Sequence, residues 1–194
     1  MLASIKYNLR HLLDFSGRDA RQTFWYFVLF LYVANMGLSL IITIPLMATM
    51  MSRIVAAAQT GDPETVDQMM PQMMGDFIGP ILWLSVISGV FFVVLLSAAF
   101  TRRLHDSNLP GWWGLGVLVL YLASLARIPS MIEAMKGFMT IQTGENPIVH
   151  AQAFQQQIGL ISLLGWVPMI LFIIFGVRKS TDGPNRYGEA PVRF

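Results

Sequence analysis

Arg102-Arg103-Leu104-His105-Asp106 sets two guanidinium groups, an imidazole and a carboxylate side by side. Guanidinium groups grip phosphate bidentately, so Arg102 and Arg103, with Arg18 and Arg21 of Ser16-Gly17-Arg18-Asp19-Ala20-Arg21, are candidates to converge on one anion. A lipid headgroup or a phosphorylated ligand would suit them. His105 can titrate near neutral pH and Asp106 could orient it, which makes this pair the best acid–base candidate. Helix neighbours do not face each other, however, and no nucleophile or second carboxylate stands at a readable spacing. No catalytic residue is therefore assigned. The stretch Asp182 to Pro191 adds Asn185, Arg186 and Tyr187 to the candidate set.

A plainer reading competes at each position. Arg at the inner membrane boundary is what insertion requires, and Arg–Asp or Arg–carbonyl contacts would simply hold loops. Asp106-Ser107-Asn108 reads as a turn and cap. Met69, Met70, Met73 and Met74 are a weak alternative as Cu(I) ligands, since thioethers are soft donors. Adaptable apolar packing explains them as well. Cysteine is absent, as are a phosphate-binding Gly loop, His-Glu-x-x-His and Gly-x-Ser-x-Gly. No metal or cofactor is expected.

The elements that carry these residues follow from composition. Hydrophobic residues make up 55% and charged residues 12%, against about 25% charged in a soluble domain. Such a chain cannot cover itself with polar surface, so lipid must cover part of it. A net charge of +2 gives no case for nucleic acid. Phe24 to Ser52, Phe77 to Thr101, Leu109 to Ala126 and Ile158 to Val177 hold no charged residue and no His. A spanning helix needs about 20 apolar residues. The absence of buried charge also argues against an ion-coupled transporter. The apolar run from Phe24 is too long for a signal-peptide core of about 7–15 residues, so no cleavage is expected.

Lys and Arg set the orientation. Lys6, Arg10, Arg18, Arg21, Arg102, Arg103, Arg178, Lys179, Arg186 and Arg193 fall on one side; Arg53, Arg127 and Lys136 fall on the other. The positive-inside rule places both termini in the cytoplasm. Trp25, Trp112 and Trp113 then sit at the inner boundary as interface anchors and Trp83 near the outer one. Trp166, near the centre of the fourth span, is read as helix packing. Leu2, Ile5, Leu9, Leu12 and Leu13 share one face of an N-terminal helix suited to the headgroup plane. Ser16 with Asp19 resembles a capping box that opens the next helix. Gly61-Asp62-Pro63 and Gly144-Glu145-Asn146-Pro147 each offer a helix stop and then a Pro for a new first turn. Each outer loop therefore reads as a helical hairpin. The similar loops, each following an Arg pair and a Trp, fit either a duplicated two-helix unit or coincidence.

The expected fold is an all-α integral membrane protein: a four-transmembrane-helix bundle with an N-terminal interfacial amphipathic helix and two outer helical hairpins. It forms a single domain over 1–194, with spans near 24–51, 77–101, 109–128 and 158–177, outer loops 52–76 and 129–157, and a cytoplasmic tail from 178 to 194.

Three motifs carry a family resemblance. Gly17-Arg18, Arg21 and Phe24-Trp25 precede the first span; Arg102-Arg103-Leu104-His105-Asp106 leads to Gly111-Trp112-Trp113; Gly183-Pro184-Asn185-Arg186-Tyr187-Gly188 runs on to Pro191. In this order they resemble the domain-of-unknown-function 805 family, the YhaH/YhaI-like bacterial inner-membrane proteins. The likeness covers essentially the whole chain, with longer outer loops and a departure at Asn108-Leu109-Pro110. It implies a bacterial inner membrane and no activity.

The functional reading is a non-enzymatic scaffold or docking protein. Its inner-face members are Arg18, Arg21, Arg102, Arg103, His105, Asp106, Asn185, Arg186 and Tyr187. Its expected partners are the lipid bilayer, anionic headgroups, and a membrane protein or a second copy of the chain. Two alternatives stand beside it. One is an oligomeric transport or permeation protein packed through Gly37, Ser39, Gly89, Gly114 and Gly116. The other is a membrane enzyme acting on lipid phosphate through His105 and Asp106.

Overall fold

The computed structural model describes the backbone of residues 1–59, 63–133 and 147–191. The helices are α1 (Leu2–Arg10), α2 (Arg21–Gln59), α3 (Pro63–Asp106), α4 (Trp112–Leu125) and α5 (Pro147–Val177). Among the described residues there is no strand, and one isolated antiparallel bridge joins Asn185 and Gly188. Pro63 and Pro147 each open a helix, where a missing N–H costs nothing. Residues 60–62 and 134–146, including the second Gly-x-Asn-Pro turn, lie outside the described residues.

Three stretches are long and apolar enough to cross a membrane: Arg21–Gln59, Gly75–Asp106 and Trp112–Glu133. Within α5 the apolar segment Gly165–Val177 is shorter. At most 22% of the residues in the three most apolar windows are buried. Ile41, Ile87, Phe91 and Leu115 all face outward. Water would solvate that much hydrocarbon only at a cost of about 25 cal/mol per Å². These are therefore the helices of a membrane protein. Trp166, expected to pack between helices, is instead 58% exposed. Its ring belongs to this outward apolar surface.

The chain forms two compact units. One comprises Met36–Ile87 and Ala126–Ser162. In it Arg53 pairs with Asp76 at 3.0 Å on the surface, and Ala57, Met73 and Ile132 are buried. Met69 is exposed, whereas the side chains of Met70 and Met74 lie outside the described residues.

The other unit comprises Met1–Asn35, Ser88–Leu125 and Leu163–Phe194, and it holds every candidate site residue except the weak methionine alternative. Its core is aromatic. Phe100 lies 4.9 Å from Phe172, which lies 5.6 Å from Phe24; Phe27, Leu96 and Leu104 are buried around them. Close approach depends on small residues. A Cβ on Gly176 would fall 2.8 Å from Trp25, and one on Gly114 would fall 3.1 Å from Leu104. Gly89 is used the same way against Tyr121, within one chain.

Helix α3 ends in a Schellman motif. Asn108 takes a left-handed φ of 57°; its N–H bonds His105 O, and Leu109 N–H bonds Leu104 O. Asn tolerates that conformation better than other side chains. The expected turn at Asp106-Ser107-Asn108 thus takes a definite form, and Leu109 folds back on the core.

The capping box expected at Ser16 and Asp19 does not form. Ser16 Oγ donates to Asp14 Oδ1 at 2.5 Å, and α2 begins only at Arg21. Asp19 is drawn away from its own helix by a stronger partner, Arg102. Helix α1 also sits differently from a simple apolar-face-down helix. Ser4 and Asn8 are fully buried, while Leu2, Leu9 and Leu13 are exposed and Ile5 and Leu12 are half-buried.

Candidate functional site: a buried guanidinium clasp

The last turn of α3 presents Arg102 and Arg103 in different directions, about 100° apart, as consecutive helix residues must be. Both are buried, at 1% and 0% exposure. Arg102 reaches back to the segment that follows α1. Its Nη2 donates to Asn8 Oδ1 at 2.7 Å, its Nη1 to His11 O at 2.8 Å and to Asp14 O, and its Nε to Asp19 Oδ2 at 3.2 Å. The Tyr7 ring lies 5.7 Å from its guanidinium carbon, within cation–π range. Arg103 reaches the end of α5. Its Nε donates to Gly176 O at 3.0 Å, its Nη2 to Arg178 O and its Nη1 to Asp106 Oδ2 at 2.5 Å.

Arg18 completes the cluster. Its Nε and Nη2 hold Asp106 Oδ1 at 3.2 and 3.0 Å. Its remaining N–H bonds go to Thr181 O, Gly183 O and Gly188 O. Those carbonyls are presented by a tight tail loop in which Gly183 and Gly188 have φ of +73° and +128°. Only glycine enters such conformations without strain, which accounts for both glycines of the tail motif. The loop is pinned further. Thr181 N–H and Oγ bond Asp106 O, Ser180 Oγ donates to Asp106 Oδ2, and Asn185 Nδ2 donates to His105 O at 2.9 Å.

The charges in this cluster nearly balance. Arg18, Arg102 and Arg103 face only Asp19 and Asp106. The carbonyls at the C-terminal ends of α1 and α5, each equivalent to roughly half a negative charge, supply the rest. That explains Arg over Lys. Five donors in a fork can bridge a carboxylate and a helix end at once, whereas one ammonium cannot.

The four arginines do not converge on an outside anion. Arg18, Arg102 and Arg103 spend their donors inside the protein, and Arg21 is exposed. Nor do His105 and Asp106 form a dyad. Both Asp106 oxygens are taken, while His105 Nδ1 lies 3.2 Å from Gly17 O. A carbonyl only accepts, so that bond puts the proton on Nδ1. The His105 ring stacks on Tyr187 at 3.9 Å and 5°, and Arg186 lies over the far side of that stack, 4.8 Å from the Tyr187 centroid. Arg186 also donates to Asn108 O. Of the tryptophans, Trp25 bonds Gly176 O through Nε1 at 3.1 Å, so it has a structural partner of its own. Trp112 and Trp113 stack on each other and are exposed.

Sequence reasoning missed Asn8, Asp19, Ser180 and Thr181 as members. The i, i+4 spacing of Ser4 and Asn8 on a short helix was a usable signal for a polar face turned inward. Asp19 had none, because its partner is 83 residues away.

Breaking one buried partner leaves the others uncompensated. Asp106→Asn is expected to lower stability by about 3–5 kcal/mol and to release the tail. Limited trypsin digestion should then cut at Lys179 and Arg186 in the variant and spare them in the parent. Arg103→Lys should expose the tail too, despite keeping the charge. A tail equally protected in all three proteins would contradict the clasp.

Burial pushes the Asp19 carboxyl up to about 6, and the Arg102 guanidinium pulls back only part of that rise. The unfolded chain releases this proton near 3.9. Between about pH 4 and about pH 6 the folded protein therefore binds more proton at Asp19 than the unfolded chain does. Asp19's contribution is fully present at low pH and is lost as pH rises through 6. Thermal midpoints in detergent should show the parent gaining on Asp19→Asn as pH falls through that window. A constant difference would show that Asp19 titrates as an ordinary carboxyl.

The family described as Protein of unknown function (DUF805) matches residues 12–189. No curated protein and no solved structure matches the chain. Apart from Tyr7 and Asn8, the side chains that make the clasp lie inside the matched range, as do the first two motifs, and the tail motif runs two residues past its end. The chain belongs to the DUF805 family.

Proposed function

We propose that this protein is a non-enzymatic scaffold of the bacterial inner membrane, with four membrane-spanning helices and both termini in the cytoplasm. In this reading α5 is the fourth span, the outer loops 52–76 and 129–157 are helical hairpins, and residues 1–194 form a single membrane domain. Its cytoplasmic face docks anionic lipid headgroups.

The observation that supports a scaffold is the exhaustion of the polar cluster. The three buried guanidinium groups, both carboxylates and the tail carbonyls satisfy one another, which builds a rigid cap rather than a reactive site. Docking then falls to cations the clasp leaves outside. Arg21, Arg178 and Arg186 are exposed in the same unit as the clasp. Cations beside the anionic inner leaflet contribute about 1 kcal/mol each.

Cysteine is absent, so single cysteines can report sidedness. Ala3→Cys and Glu189→Cys should react with an impermeant maleimide only after the inner face is opened, and Gln59→Cys in intact spheroplasts. Labels on opposite faces for the two ends would refute the threading.

Arg21→Glu with Arg178→Glu should lower the phosphatidylglycerol that co-purifies in mild detergent by roughly thirtyfold, the factor two lost contacts of that size imply. Insertion and thermal midpoint should stay unchanged. Unchanged lipid content would remove the docking reading.

A further inference from the structure

A cavity of about 830 Å³ opens in the unit that carries the clasp. Val28 and Tyr32 of α2, Phe92 and Phe100 of α3, Leu118 of α4 and Phe172 of α5 form much of its wall. That size lies within the range of about 300–1,000 Å³ typical of ligand pockets. Two hydroxyls in the wall are already committed. Ser97 Oγ donates to Val94 O, and Thr101 Oγ1 donates to Ser97 O. Tyr32 and Tyr121 add two hydroxyls and Trp112 an indole N–H, but the rest of the wall is apolar, too little to give several waters two to four polar partners each. An empty space of this size would forfeit the dispersion contacts that close packing provides. In a membrane, hydrocarbon is the solvent at hand to fill it.

One end of the cavity is polar. Gly111 and Thr101 line it there, and a Cβ on Gly111 would stand 2.9 Å from Thr101 Cγ2 and 3.4 Å from His105 Nε2. The imidazole therefore borders the opening, with its Nδ1 turned to Gly17 O. Tyr187 stacks on that ring and Arg186 covers Tyr187. Beyond this end of the apolar chamber lie an imidazole and, across the Tyr187 ring from it, an exposed guanidinium.

We propose that the cavity holds the acyl tail of one anionic membrane phospholipid, with the headgroup phosphate at Arg186. The apolar wall selects a hydrocarbon chain, and the cation at one end alone selects the charge of the head. The proposal rests on the spanning reading given above but not on surface docking by Arg21 and Arg178.

The test uses the full chain in phosphatidylethanolamine nanodiscs carrying a minority of phosphatidylglycerol, released into native mass spectrometry. The parent should keep one phosphatidylglycerol through removal of the bulk lipid. Gly165 lines the cavity, and a Cβ there meets no atom within 4 Å. Gly165→Leu should therefore fold normally and lose the retained lipid by about tenfold or more, since it displaces several buried methylene groups. Ser97→Leu fills the same space from α3 and serves if the first variant is poorly folded. Arg186→Gln should still retain a lipid but without preference for phosphatidylglycerol.

Full retention in both cavity variants would overturn the proposal. So would a parent that carries lipid only in bilayer proportion, or one that appears as a lipid-free dimer with a second copy filling the groove. An unchanged headgroup preference in Arg186→Gln would overturn the placement of the phosphate. Loss of annular phosphatidylglycerol on charge reversal at Arg21 and Arg178, with the tight adduct intact, would separate this site from surface docking.

Discussion

A guanidinium group that leaves water at the end of a membrane helix must find a full set of acceptors, and Arg102 and Arg103 impose that demand on everything around them. The penalty is several kcal/mol per ion when it goes unmet. A single carboxylate cannot meet it twice. Asp106 therefore takes Arg103 and Arg18 on different oxygens, and the remaining donors pull in backbone carbonyls from three separate segments. The route of the chain between α1 and α2, and the fold of the tail after α5, are in large part the geometry that brings those carbonyls within reach. Net stability from such pairs is small. Their effect is specificity, since any other arrangement of these loops would strand a buried charge.

The same demand explains why α1 lies polar side inward. In a water-soluble protein a helix with Leu2, Leu9 and Leu13 on its outer surface would be misplaced. Here Asn8 is needed against Arg102, and turning it inward leaves Leu2, Leu9 and Leu13 on the outer surface.

Three membrane-length helices were legible because the cost of charge in hydrocarbon leaves long charge-free runs, and Pro63 and Pro147 marked helix starts because only a first turn accepts proline freely. The polar clusters were legible as a set, since arginine pairs at the ends of apolar runs are conspicuous. What the clusters do was not legible. Asp19 stands three residues after Ser16, which is the spacing of a local cap, and nothing nearby in sequence announces that Arg102 will outbid the helix for it. Trp166 likewise carries no sign of whether it faces a neighbouring helix or lipid, because periodicity fades when nearly every position is apolar. Local rules failed where long-range charge pairing decided the outcome.

A site of this kind separates two properties that sequence motifs merge. Arg102, Arg103 and Asp106 form a dense charged motif, yet their donors and acceptors are consumed internally, so they have little left to offer a substrate. The groups that face outward are the neighbours they hold in place. His105 sits on the same helical turn as Asp106 but on another face, and Asn185, anchored to His105 O, carries Tyr187 over the imidazole and Arg186 over Tyr187. Rigidity at the centre fixes geometry at the rim. A mutation in the clasp would therefore reach the rim only by letting the tail go, whereas a mutation at Arg186 would change the rim's charge directly. That asymmetry is what distinguishes the framework from the rim it positions, and it follows from which polar groups the protein has already satisfied.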